Sequence, residues 1–191
     1  GDGDGDGDGD GSQCPVPDGL TTVWDFASSD LSAQTGTSTL EFWDPNMTGW
    51  ANGGAEFGTA SSFDLPALPG GDATVLRLPA TTSDQGLELT RDVPGNGFYG
   101  PSLTSRYTLV FDVYWPQASA GGYRALLQTN TANNDDGDLF IDGSDGLGIS
   151  GNYVGEAPAG EWHRIAIVMR SASGEGQMHK FIDGTFVGGQ G

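Results

Sequence analysis

Apolar and polar residues alternate along much of the chain, and the alternation has period two. Tyr107, Leu109, Phe111, Val113 and Trp115 fall on one face of a long predicted strand. Ile165, Ile167 and Met169 share a face in the run EWHRIAIVMR. Shorter β-like runs are VWDF at 23–26, LEFW at 40–43, ATVLRL at 73–78, GLEL at 86–89, YRALLQT at 123–129, DLFI at 138–141 and MHKFI at 178–182. Turn sequences separate them, among them PGG at 69–71 and PGNG at 94–97. Asp183-Gly184, between KFI and TFV, has the residues of a type I′ hairpin. No long window repeats apolar residues at i, i+3 and i+4, so no long helix is expected. Many short strands with frequent turns predict an all-β fold, an antiparallel β-sandwich. No internal repeat of 20–50 residues is visible.

The periodic pattern begins only after residue 20. Residues 1–11 read GDGDGDGDGDG, and no side chain there could join a core. A Pro-rich connector, SQCPVPDGL, runs from Ser12 to Leu20. The expected organisation is an acidic tail and linker over 1–20 and a globular domain over 21–191. The 191 residues carry 26 acidic and seven basic side chains, for a formal charge of −19. That balance excludes a nucleic-acid partner held through phosphates, which needs clustered Lys and Arg. It also disfavours docking on anionic lipid. No apolar run approaches ~18 residues, so no membrane insertion is expected. The chain has neither an initiator Met nor a signal peptide and reads as a processed or partial product. Cys14 is the single cysteine and excludes an internal disulfide framework. One Lys and six Arg stand against 20 Asp, which suits an extracellular or saline setting, and the expected location is extracellular or at the cell surface.

The order of pieces from Tyr107 to Val187 resembles the laminin-G-like, concanavalin A-like lectin and glucanase superfamily. The residues are YTLVFDVYWP at 107–116, YRALLQT at 123–129, DGDLFI at 136–141, GLGIS at 146–150, EWHRIAIVM at 161–169 and KFIDGTFVG at 180–188. The resemblance implies a jelly roll of two packed antiparallel sheets, often with calcium on its rim. It also implies glycan or protein binding and an adhesive or matrix role. Such domains usually carry further strands after the Asp-Gly hairpin, the last pairing beside the first. This sequence ends at Gly191, so the expected sandwich lacks its last strands. VWDF would then lack a neighbour, and strand addition from another chain would build a head-to-tail filament. The alternative is that the sequence is incomplete. The Asp-Gly run followed by Cys14-Pro15 is similar to a thrombospondin type 3-like calcium repeat.

The acidic segments point to calcium. Calcium takes six to eight oxygen ligands, and glycines permit the sharp turns that make nearby carboxylates converge. Asp2, Asp4, Asp6, Asp8 and Asp10 form the first candidate ligand set. Asp2, Asp4, Asp6 and Gly7 match the opening of an EF-hand loop, but its twelfth position is Gln13 rather than Glu. The alternative is a flexible acidic linker. The second set lies in NNDDGD: Asn133, Asp135, Asp136 and Asp138, with Asp142 and Asp145 close behind. Asp136 and Asp138 are its best ligands, and the alternative is an ordinary polar turn.

Other groups read as structural. His163 shares a face with Ile165 and Ile167 and reads as a packed or edge histidine. Neither His163 nor His179 has zinc-ligand companions. Arg164 suits a structural ion pair. Trp43 and Trp50, in the loop-rich FWDPNMTGW, are the candidate glycan contacts, and Asn46 heads the N-glycosylation sequon. The Glu-x-Asp-x-Glu strand of jelly-roll glucanases is absent, and no nucleophile elbow appears. The expectation is a non-enzymatic, calcium-binding extracellular module, adhesive or structural, as a matrix or filament subunit. Its partners would be further copies of itself, in an oligomer or polymer, or matrix glycans. The alternative is a carbohydrate-binding module of a larger secreted enzyme.

Overall fold

The computed structural model describes residues 20–51, 54–82, 84–96, 104–128, 139–172 and 175–191. Among them the chain is all-β and antiparallel. It contains no α-helix, only two single 3-10 turns at Ser61–Phe63 and Gln117–Ser119. No sheet closes into a barrel. The strands are β1 (Thr39–Trp43), β2 (Glu56–Thr59), β3 (Thr74–Arg77), β4 (Gly86–Thr90), β5 (Arg106–Tyr114) and β6 (Arg124–Leu127), then β7 (Leu139–Ile141), β8 (Leu147–Ile149), β9 (Asn152–Val154), β10 (Trp162–Ala172), β11 (Glu175–Ile182) and β12 (Thr185–Gln190). Two sheets have four strands, in the orders β12-β11-β10-β5 and β6-β7-β8-β9. Two have two strands, β1-β4 and β2-β3.

The period-two pattern explains the larger sheet. Tyr107 pairs with Met169, Leu109 with Ile167 and Phe111 with Ile165, so the apolar alternations of β5 and β10 lie on one face. One hydrophobic cluster joins that face to the other four-stranded sheet. It contains Ile165, Ile167, Met178 and Ile182 from β10 and β11, and Leu139, Ile141 and Leu147 from β7 and β8. Removing such side chains from water contributes about 1.5–3 kcal/mol each. The hairpin between β11 and β12 turns at Asp183 and Gly184, with φ of 50° and 78°. Both values lie where a type I′ turn places its central residues. Gly148 is required for close approach, because a Cβ there would meet the Asn152 carbonyl at 1.9 Å.

Some expected elements differ. VWDF is no strand: it contributes one isolated bridge, Val23 to Thr35. Phe26 takes φ of 57°, and the Ser29 amide donates to its carbonyl, so the chain turns there. The expectation of a short first strand at 23–26 that lacks one neighbour therefore fails on local geometry. β2 and β9 were not legible as strands in the pattern. The acidic tail and the NNDDGD segment lie outside the described residues.

Candidate functional site

Two of the four groups of sequence-predicted site residues fall outside the described residues. These are Asp2, Asp4, Asp6, Asp8 and Asp10, and Asn133, Asp135, Asp136 and Asp138. The described residues do fix the ends of the second segment. Leu127 of β6 and Leu139 of β7 are register partners across a bulge. The described strands on either side of residues 129–138 are therefore neighbours in one sheet. Leu139 is fully buried in the core, so one end of the connection is firmly anchored. Among the described residues, no three His, Cys, Asp or Glu side chains cluster as metal ligands.

Asp142 and Asp145 have other work. Asp142 Oδ1 accepts the amides of Ser144 and Gly146, both at 2.9 Å, and shapes the β7–β8 turn. Asp145 takes φ of 68° and forms an ion pair with Arg124. The Arg124 side chain is only 3% exposed. Its Nη1 donates to the Ala157 carbonyl at 3.2 Å, and its guanidinium stands 5.1 Å from the Trp115 ring centre. Asp145 is thus committed to an internal cation. Asp142 and Asp145, close behind the NNDDGD segment in the sequence, hold these two roles.

His163 is buried, as its position beside Ile165 predicts. Its Nδ1 lies 2.8 Å from Asp183 Oδ2 and its Nε2 lies 3.1 Å from the Pro158 carbonyl. Arg164 makes a two-pronged contact with Asp112, at 2.7 Å through both Nε and Nη2. Both residues tie strands together.

Trp43 and Trp50 do lie together. Trp50 Nε1 donates to the Trp43 carbonyl at 3.1 Å, and its ring meets Phe42 edge-on at 6.0 Å. Both tryptophans are half-buried. Trp43 Nε1 is buried without a hydrogen-bond partner. The loop after Trp43 folds around Asp44, which accepts Thr48 Oγ1 at 3.0 Å and the Gly49 amide at 2.7 Å. Burial pushes the Asp44 carboxyl up, but these hydrogen bonds win and hold it below the usual range. Asn46 is exposed, and its Nδ2 donates to Asp84. The sequon nitrogen is therefore engaged within the protein.

Two features escaped the pattern reading. Tyr123, 69% exposed, stands 6.2 Å from Phe140 and 6.0 Å from Tyr153, both edge-on. The three come from separated short runs, so only the sheet register unites them. Lys180, the sole lysine, is fully buried. Its Nζ donates to Asn152 O at 2.8 Å, Asn152 Oδ1 at 3.2 Å and Gln190 Oε1 at 3.3 Å. Gln190 Nε2 continues to the Ile149 carbonyl at 3.0 Å. This network joins β11 and β12 to the β8–β9 hairpin. Burial lowers the Lys180 pKa from its ordinary value. The sequence did hold this signal: Lys180 falls between Met178 and Ile182 on the inward face of β11. No protein-family model, curated protein or solved structure matches the chain.

Proposed function

We propose that the protein is a non-enzymatic, calcium-binding β-sandwich module with an adhesive or structural role outside the cell or at its surface. The observation that carries this reading is the Leu127–Leu139 pairing. Those two residues flank the segment whose sequence carries Asn133, Asp135, Asp136 and Asp138. Crowded carboxylates repel, and a hard dication with oxygen ligands relieves the repulsion. The Asp-Gly run offers a second set of carboxylates that calcium could order as a spacer between modules. The shared core of the two four-stranded sheets supports a sandwich of the jelly-roll kind.

Thermal unfolding of the full chain tests the reading. Calcium should raise the melting temperature above that in chelator, and Asp138→Asn should shrink the difference. Equal melting temperatures in calcium and chelator would overturn it.

A second reading, a carbohydrate-binding module of a larger secreted enzyme, is favoured by a separate observation. Exposed Tyr123 meets half-buried Phe140 and Tyr153, and half-buried Trp43 and Trp50 lie together. Aromatic faces can stack on sugar rings. Retention on polysaccharide columns that is lost in Tyr123→Ala would favour this reading.

A further inference from the structure

The chain has seven basic side chains, and the structure accounts for most of them internally. Arg77 pairs with Glu56, Arg124 with Asp145 and Arg164 with Asp112. Lys180 is buried on three oxygens, and Arg91 Nη1 donates to the Val93 carbonyl at 2.8 Å. Arg106 and Arg170 are different. They are direct register partners across β5 and β10, so both side chains leave the same face of the sheet side by side. Both are exposed. No ion pair or hydrogen bond among the described residues engages either guanidinium.

Like charges placed directly opposite on adjacent strands repel. Here the pair is also held in place. The Asn96 side chain clamps the Arg106 backbone, its Oδ1 accepting the Arg106 amide at 3.0 Å and its Nδ2 donating to the Arg106 carbonyl at 2.7 Å. It thereby replaces a neighbouring strand at the open edge of β5. Arg170 lies between β5 and β11, opposite Gln177. Arg106 and Arg170 line an open surface depression of about 480 Å³ together with Tyr107, Thr108, Val168 and Met169. Two exposed cations placed side by side, with no partner among the described residues, suit the binding of carboxylates.

We propose that the occupant is the Asp-Gly run, residues 1–11, of the same chain. Charge complementarity is the first argument: five carboxylates of a chain with net charge −19 meet two arginines that have no partner among the described residues. Spacing is the second. Opposite residues on neighbouring strands have Cβ atoms about 4.5–5.5 Å apart. In an extended Asp-Gly repeat, successive Asp side chains share one face about 6.6 Å apart. Long, flexible arginines span that difference. Reach is the third argument. Nineteen residues precede Leu20 and can extend about 60 Å, whereas a globule of this length has a radius of gyration of about 16 Å. Tethering gives the run a local concentration on the order of millimolar, ahead of any free anion at lower concentration.

Cys14, the single cysteine, lies four residues beyond Asp10 and supplies the probe. A nitroxide attached there should broaden the amide resonances of Arg106, Thr108, Val168 and Arg170 in the full chain, in chelator at low salt. Replacing the five Asp of the run by Asn should abolish the broadening, and so should Arg106→Gln with Arg170→Gln. The remaining sheet resonances report that each variant is folded. Spin-labelled chains without ¹⁵N, mixed with unlabelled-thiol ¹⁵N chains, should produce no broadening. Broadening in that mixture would assign the occupant to a second copy and overturn the proposal. Absence of broadening in the parent chain, or its persistence in the Asn variant, would overturn it too. So would saturable shifts of these resonances by oligogalacturonate in a parent chain that shows no broadening. All arms run without calcium, so failure here leaves the calcium reading separately testable.

Discussion

His163 and Asp183 lock the β11–β12 hairpin to β10. His163 Nδ1 lies 2.8 Å from Asp183 Oδ2, while Asp183 Oδ1 accepts the Arg164 amide at 2.8 Å. The Asp183 amide donates back to the Arg164 carbonyl at 2.9 Å. The turn therefore serves as more than a connector. Its first residue closes a ring of contacts around the strand that carries Ile165 and Ile167.

Asp183 should be replaceable by Asn far more easily than by Ala. Asn tolerates φ of 50° and retains an acceptor for the Arg164 amide. Ala has neither property and should cost about 1–3 kcal/mol. Partial burial pushes the Asp183 carboxyl up, but hydrogen bonds from His163 and Arg164 more than offset it, so its pKa is lowered. A lowered carboxylate pKa adds stability above the unfolded value of about 3.9. That stability is lost as pH falls through the folded value. Chemical denaturation between about pH 5 and 2 should show a steeper loss in the parent chain than in Asp183→Asn.

Arg124 and Asp145 should be costly to separate. Asp145→Ala leaves a buried guanidinium with only the Ala157 carbonyl and the Trp115 ring. Removing one partner of a buried pair typically costs about 3–5 kcal/mol. Arg124→Met should cost less, because Asp145 is a third exposed and can be hydrated. A double-mutant cycle by urea unfolding measures the coupling. Equal losses in the two single variants would show that Asp145, too, depends on its partner.

Calcium should act through the β6–β7 connection. A ligand that binds only the folded chain at about 100 times its dissociation constant adds roughly 2.7 kcal/mol. In a domain of this size, 1 kcal/mol moves the melting temperature by roughly 2–4 °C. Chelation should therefore lower it by about 5–11 °C. Asp135→Asn and Asp136→Asn should each weaken calcium binding in titration calorimetry, whereas Asp142→Asn should change the β7–β8 turn and leave the calcium stoichiometry intact.

The strands that the sequence revealed are those with one buried and one exposed face. β5 and β10 are long and half-buried, so Tyr107, Leu109, Ile165 and Ile167 announce their register. β9 has three residues, Asn152 to Val154, too few for any period to emerge. VWDF has strand composition, but Phe26 at φ of 57° ends it, and nothing local foretells that angle. The site residues divide in the same way. His163 could be assigned to the core because its strand neighbours set its direction. Arg124 could not be recognised, since its partner Asp145 arrives through an Asx-shaped turn that only tertiary structure completes.

Lys180 should make the protein more stable as the solution becomes alkaline. Its side chain lies in the core with no carboxylate among its three hydrogen-bond acceptors. Burial disfavours the charged form, so the folded pKa is lower than the unfolded value of about 10.4. Between those two values the unfolded chain binds a proton that the folded chain has released. Stability must then rise with pH across that window and level off above about pH 10.4. Lys180→Met keeps the length and the packing against Met178 and Ile182 without the charge. It should abolish the rise. Its cost at neutral pH should be small, because an apolar side chain of similar volume replaces a buried ion. The substitution strands Asn152 Oδ1 and Gln190 Oε1, which can turn toward water because Asn152 is exposed and Gln190 is half-buried. Lys180→Ala, by contrast, opens a cavity and should cost about 2–5 kcal/mol. Urea midpoints measured from pH 7 to pH 10.5 for the parent and both variants decide the matter. A parent midpoint that falls steadily over this range, in parallel with that of Lys180→Met, would show that the buried amine is no source of pH dependence.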